Sequence, residues 1–84
     1  MKKTLTYPTQ GTCSQAIIVT VEDQTIEEVS FVGGCHGNTQ GVAALVRGMQ
    51  IEEAAARLEG IDCRGRGTSC PDQLAKALRQ ILAQ

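Results

Sequence analysis

A chain of 84 residues can form one domain with one modest hydrophobic core, so residues 1–84 are expected to be a single domain. The formal net charge is -1, and one Tyr, one Phe and no Trp leave few stacking side chains, which excludes the basic surface of a nucleic-acid-binding protein. No apolar run is long enough for a signal peptide or a membrane span, which predicts a cytoplasmic protein without a membrane partner.

The first part of the chain predicts a three-stranded antiparallel sheet. Alternating or β-branched stretches are bounded by Pro8 and by a two-residue turn at Asp23 and Gln24. The apolar pattern of the third stretch slips by one residue, which predicts a β-bulge near residues 27–28. The predicted strands are residues 2–7, 13–22 and 25–32.

The rest of the chain has the apolar spacing of helices. Gly48 separates the first two predicted helices, Gly60 ends the second, and Asn38 or Thr39 is the predicted N-cap of the first. The three apolar stripes are Val42, Leu45, Val46 and Met49; Ile51, Ala54, Ala55 and Leu58; and Leu74, Leu78, Ile81 and Leu82. Three strands followed by three helices predict an α+β fold with the helices packed on one face of the sheet.

The predicted elements bring four distant cysteines toward one end of the sheet. The turn register places Cys13 opposite Gly34, and a single bulge would place it opposite Cys35. Cys70 begins the third helix, where free backbone N–H groups and the helix dipole stabilise a thiolate. Cys63 can fold back toward the same point through the loop "RGRG".

Four thiolates gathered in this way suit a tetrahedral Zn²⁺ ion or an iron–sulfur cluster. The predicted metal ligands are Cys13, Cys35, Cys63 and Cys70. The chain has no Cys-x-x-Cys pair, so its spacing is not that of a zinc finger. A thiol–disulfide redox protein is the alternative, in which Cys70 attacks a disulfide of the partner and Cys63 or Cys35 resolves the mixed disulfide.

Other polar groups near these cysteines have simpler interpretations. His36 is interpreted as a loop residue or a hydrogen-bond donor to the site, rather than as a ligand. Arg64 and Arg66 are interpreted as solvated loop charges, although such a loop at a helix N-terminus can also bind an anion. Asp72 is expected to be a helix-start residue.

Three stretches that contain Gly and Cys stand out as motifs: "GGCHGNTQG", "GIDC" and "GTSCPDQLAKAL". They resemble the TSCPD domain family, whose name is spelled by residues 68–72, and the likeness covers nearly the whole chain with all four family cysteines. Such domains occur as short stand-alone proteins and as a terminal domain of ribonucleotide reductases, especially cobalamin-dependent ones. The resemblance therefore implies a ribonucleotide reductase as a partner. Reductase activity of the chain itself is not expected, because one small core cannot enclose a radical generator, a substrate pocket and reducing thiols.

The order of the cysteines is also similar to that of the iron–sulfur cluster assembly scaffolds. Cys13, Cys35 and Cys70 would stand where the scaffold ligands stand, and Cys63 is an additional thiol. Ser69 occupies the position where the scaffolds have a His directly before the last cysteine. This likeness implies a scaffold-like fold and an iron–sulfur protein as a further candidate partner.

Overall fold

The computed structural model describes residues 1–12, 14–34, 36–62, 64–65 and 67–84, with the side chain of His36 excepted. Within these residues three strands are followed by three helices, which confirms the predicted α+β order. The strands are β1 (Lys2–Pro8), β2 (Ser14–Glu22) and β3 (Thr25–Gly33), and the helices are α1 (His36–Val46), α2 (Ile51–Leu58) and α3 (Cys70–Ala83).

The strands form one antiparallel sheet in the order β1-β2-β3. The turn between β2 and β3 consists of residues 23–24, as the sequence predicts. Val21 pairs with Ile26, whereas Thr20 pairs with Glu28, so Glu27 is an extra residue on β3. The predicted β-bulge is therefore confirmed, and it lies where the apolar pattern slips.

A second irregularity occurs near the end of the β2–β3 ladder. Ala16 pairs with Val32, but the last pair is Ser14 with Gly33, which returns the register to the pairing that the turn alone would give. The prediction that Cys13 faces Gly34 or Cys35 assumed at most one bulge, and these two cysteines lie outside the described residues.

The core lies between one face of the sheet and the helices. Ile17, Val19 and Val21 alternate along β2 and are at most 1% exposed, while the residues between them stay partly exposed. The helices cover this face with fully buried side chains such as Leu74 and Leu78, each of which contributes about 1.5–3 kcal/mol by its burial. The predicted placement of the helices on one face is confirmed. None of the described helices is long and apolar enough to cross a membrane.

The predictions for α1 are wrong at two points. The helix begins at His36, so Asn38 and Thr39 lie within the first turns rather than at the N-cap. Leu45, which the apolar stripe predicted to be buried, is 78% exposed, whereas Thr39 is buried. The buried side of α1 includes Thr39 and Val46, and Leu45 points about 100° away from Val46 around the helix.

Candidate functional site at the start of helix α3

The start of α3 is defined by a side-chain cap. Ser69 has an extended backbone, and its Oγ accepts a hydrogen bond from the backbone N of Asp72 at 3.0 Å. Cys70 is therefore the first residue of the helix, which confirms its predicted location, and Pro71 follows it where no backbone N–H donor is needed. The cap was not predicted, although Ser followed three residues later by Asp is a recognisable start signal.

The Cys70 thiol meets the beginning of β2. Cys70 is a partly buried residue that forms no disulfide with another described residue, and its Sγ lies 3.3 Å from Oγ of Ser14. Ser14 is buried, and its Oγ also lies 3.0 Å from the hydroxyl of Thr12. The two ends of this contact come from positions 56 residues apart in the chain, so the fold brings the residue that follows Cys13 onto Cys70.

The end of β3 meets the same point. Gly34 has a positive φ of 87°, and a Cβ at this position would lie 3.3 Å from the Cβ of Ser14. Both the backbone conformation and the close approach therefore favour glycine here. Gly34 directly precedes Cys35 in the sequence.

The connection between α2 and α3 also returns to this end. The carboxylate of Asp62 accepts hydrogen bonds from the backbone N of Gly65, at 2.5 Å, and from that of Gly67. Gly67 leads directly into Thr68, next to the N-cap of α3. Hydrogen bonds thus link the described residues 62, 65 and 67 of this loop, while Cys63, which is predicted to fold back, lies outside the described residues.

Three buried polar side chains at the start of α3 form one hydrogen-bonded group, called here the hydrogen-bond clamp: Thr68, Asp72 and Gln73. The Thr68 hydroxyl donates to Oδ2 of Asp72 at 2.5 Å and accepts from Nε2 of Gln73 at 3.0 Å. Because all three side chains are buried, leaving any of these groups without a partner would cost free energy.

The hydrogen-bond clamp reaches two other parts of the chain. Oδ1 of Asp72 accepts from the backbone N of Gly60 at 2.7 Å, just after α2. Oε1 of Gln73 accepts from the backbone N of Gln10 at 3.2 Å, in the connection between β1 and β2. The clamp therefore ties both connections to α3.

The Asp72 carboxyl is held in its charged form. Burial alone would raise its pKa, but hydrogen bonds from Thr68 and Gly60 together with the ion pair to Lys76 lower the pKa below its ordinary value. Nζ of Lys76 lies 3.1 Å from Oδ2 of Asp72, one helical turn away. Asp72 is the helix-start residue that the sequence predicted. Its hydrogen bond from Gly60 also fixes the connection after α2 to the start of α3.

The structure describes one of the four predicted ligands, Cys70. Cys13, Cys35 and Cys63 lie outside the described residues, as do Arg66 and the side chain of His36. Among the described residues no group of three or more His, Cys, Asp or Glu side chains could hold a metal ion. Three of the four predicted ligands lie outside these residues, so the four-cysteine site and its cofactor stay predictions.

The family model of the TSCPD domain matches residues 2–82, from β1 to α3. No curated protein and no solved structure matches the chain significantly, so the likeness to iron–sulfur scaffolds stays a prediction. The family match spans nearly all of the sequence, including the hydrogen-bond clamp and Cys70. The chain therefore belongs to the TSCPD domain family.

Proposed function

We propose that this chain is a small cysteine-based metal-binding accessory domain of the ribonucleotide reductases with which TSCPD domains are associated. Its ligands would be Cys13, Cys35, Cys63 and Cys70, and its cofactor Zn²⁺ or an iron–sulfur cluster. The observation that carries the proposal is the 3.3 Å contact between Ser14 Oγ and Cys70 Sγ, because it joins the segment next to Cys13 to the thiol that begins α3.

Contacts near the other two cysteines support the same grouping. Gly34 directly precedes Cys35 in the sequence and approaches Ser14 too closely for a larger residue to fit without a shift. Asp62 directly precedes Cys63 and closes a loop that returns to Thr68. Segments from four parts of the chain therefore converge at the start of α3.

The chemistry of the described part of the site fits a bound metal. Cys70 is a partly buried residue at the first position of α3, and its sulfur is a ligand type that both Zn²⁺ and iron bind. Zinc held by four thiolates would be structural and would add folding free energy on the order of several kcal/mol to a small core. A bound iron–sulfur cluster would instead supply one-electron transfer.

Metal analysis of freshly isolated protein tests the proposal. The chain is purified anaerobically without a His tag, and its zinc, iron and sulfide contents are measured together with its visible absorbance. We expect either colourless protein with about one Zn²⁺ per chain or a visible sulfur-to-iron charge-transfer band. Serine variants of the four cysteines should lose metal, whereas Thr20→Ser, a change at a partly exposed position on the sheet, should retain it. Folded protein that holds less than about a tenth of an equivalent of metal while all four thiols titrate freely would contradict the proposal.

The place of Cys70, a partly exposed residue that begins a helix, also favours a second candidate, a thiol–disulfide redox domain. The Cys70 thiolate would attack a disulfide of the reductase partner and form a mixed disulfide, releasing one partner thiolate. Cys63 or Cys35 would then displace the second partner thiolate, so the partner is reduced by two electrons and this chain gains a disulfide. A reversible disulfide at Cys70 in metal-free protein would support this function, and unchanged electron transfer by both Cys63→Ser and Cys35→Ser would refute it.

A further inference from the structure

The hydrogen-bond clamp lies next to the proposed metal site, but none of its three residues is a proposed ligand. We propose that Thr68 is a positioning residue, which acts through Asp72 and Gln73 to hold the connections containing Cys13 and Cys63 against the helix that begins with Cys70. The inference rests on the proposed function, because its purpose is to order the ligands before a metal binds. It predicts that the metal affinity depends on a hydroxyl that is not itself a ligand.

Thr68 is the centre of the clamp because its hydroxyl makes two different hydrogen bonds at once. It donates to the carboxylate of Asp72 at 2.5 Å and accepts from the amide of Gln73 at 3.0 Å. Serine can make both contacts, whereas valine has the same shape as threonine and can make neither. The chain thus offers a pair of substitutions that differ mainly in whether the hydroxyl is present.

The partners of Thr68 anchor two connections that are distant in sequence. Asp72 accepts a hydrogen bond from the backbone N of Gly60. Gly60 begins the connection to α3, residues 60–68, which includes Cys63. Gln73 holds the backbone N of Gln10, in the connection of β1 to β2 that includes Cys13. A loop that is anchored in this way loses conformational freedom during folding rather than during binding, which leaves more of the binding free energy for affinity.

The steric contacts of Thr68 agree with this role. A Cβ on Gly11 would lie 3.0 Å from Cγ2 of Thr68, so the β1–β2 connection packs directly against the clamp. On the other side of Thr68, the backbone N of Gly67 donates a hydrogen bond to the carboxylate of Asp62. Thr68 is therefore in contact with one connection through its methyl group and is covalently continuous with the other.

A Co²⁺ titration tests the inference, because Co²⁺ bound by thiolates reports its coordination by absorbance. The wild-type chain, Thr68→Val, Thr68→Ser and Ile81→Val are compared under conditions where circular dichroism shows all four to be folded. Ile81→Val is the control, since Ile81 is buried in the core at the far end of α3 and the change lowers stability without touching the clamp. We expect Thr68→Val to bind Co²⁺ about 10–100-fold more weakly with an altered spectrum, and Thr68→Ser and Ile81→Val to stay close to wild type.

A second readout separates failure of the clamp from failure of the metal site. With glutathione disulfide as the oxidant, metal-free wild-type chain should form a disulfide between Cys63 and Cys70 more readily than Thr68→Val does. If Co²⁺ does not bind to wild type but less of this disulfide forms in Thr68→Val, the metal proposal fails and the positioning role of Thr68 is supported. If Thr68→Val changes neither readout more than Ile81→Val does, the clamp is refuted. Gln73→Met, which removes only the bonds of the Gln73 amide, replaces Thr68→Val should that variant not fold.

Discussion

The carboxylate of Asp72 gives the sharpest test of how this end of the molecule is held together. In Asp72→Asn, one of the two carboxylate oxygens becomes an NH₂ group. Gly60 and Thr68 donate to different oxygens, so one of these two donors loses its acceptor. A hydrogen bond to a charged group contributes about 1.5–3 kcal/mol, and the ion pair with the half-exposed Lys76 adds less than about 1 kcal/mol. We therefore expect the free energy of unfolding to fall by about 2–4 kcal/mol at pH 7.

Urea denaturation with a chelator and a reductant present measures this loss without a contribution from metal. Because the pKa of Asp72 is lowered in the folded protein, its charge stabilises the fold above the unfolded-state pKa of about 3.9. That stability is lost as the pH falls through the folded-state pKa, and asparagine does not titrate. The difference between wild type and Asp72→Asn should therefore be constant from about pH 5 to 7 and shrink below about pH 4.

Two results would refute this explanation of the role of Asp72. One is a difference below about 0.5 kcal/mol at pH 7, which is the size expected for a surface substitution. The other is a difference that persists unchanged at acidic pH, since the carboxylate charge could not then be its source. Glu53→Gln is the matched control: Glu53 pairs with Arg57 at 2.9 Å, but its side chain is 52% exposed, so its loss should cost less than about 1 kcal/mol.

Two further pairs of variants test the core and the glycine at the site, both by urea denaturation. Leu78→Ala removes a fully buried side chain and should lower the free energy of unfolding by about 2–5 kcal/mol, whereas Leu45→Ala, at an exposed position, should change it by less than about 0.5 kcal/mol. Equal losses would contradict the orientation of α1. Gly34→Ala should destabilise by about 1–3 kcal/mol because of its positive φ and close neighbours, whereas Gly41→Ala within α1 has open space and should stabilise by about 0.5–1 kcal/mol. A stabilising Gly34→Ala would show that the close approach to β2 is not required.

The sheet could be predicted from the sequence because its signals are local. Alternation, the turn at residues 23–24 and the slip that marks the bulge at Glu27 all lie within one short stretch. The prediction was wrong where a tertiary contact decides between faces of a helix. The buried edge of α1 includes Thr39 rather than Leu45, because α1 packs mainly against β3 and ends before Gly48.

The candidate site was predictable only in part. The position of Cys70 followed from the helix-start residues around it, and the structure confirms it. The hydrogen bonds that the backbone N–H groups of Gln10 and Gly60 donate to Gln73 and Asp72 were not predicted, because single hydrogen bonds between distant positions leave no periodic pattern in a sequence. The sequence shows only that Thr68, Asp72 and Gln73 are polar residues near a predicted helix start, and their burial becomes visible in the structure alone.

Residues 68–72, which spell the family name, have different roles at the start of α3. Thr68, Ser69 and Asp72 make hydrogen bonds within the protein, Pro71 fits the first turn of the helix, and the Cys70 thiol contacts Ser14. A relative that lacks this cysteine alone would keep the side-chain hydrogen bonds that start the helix, because none of them uses its sulfur. Four of the five motif residues are therefore explained by the structure of the helix start, without reference to the chemistry of the thiol.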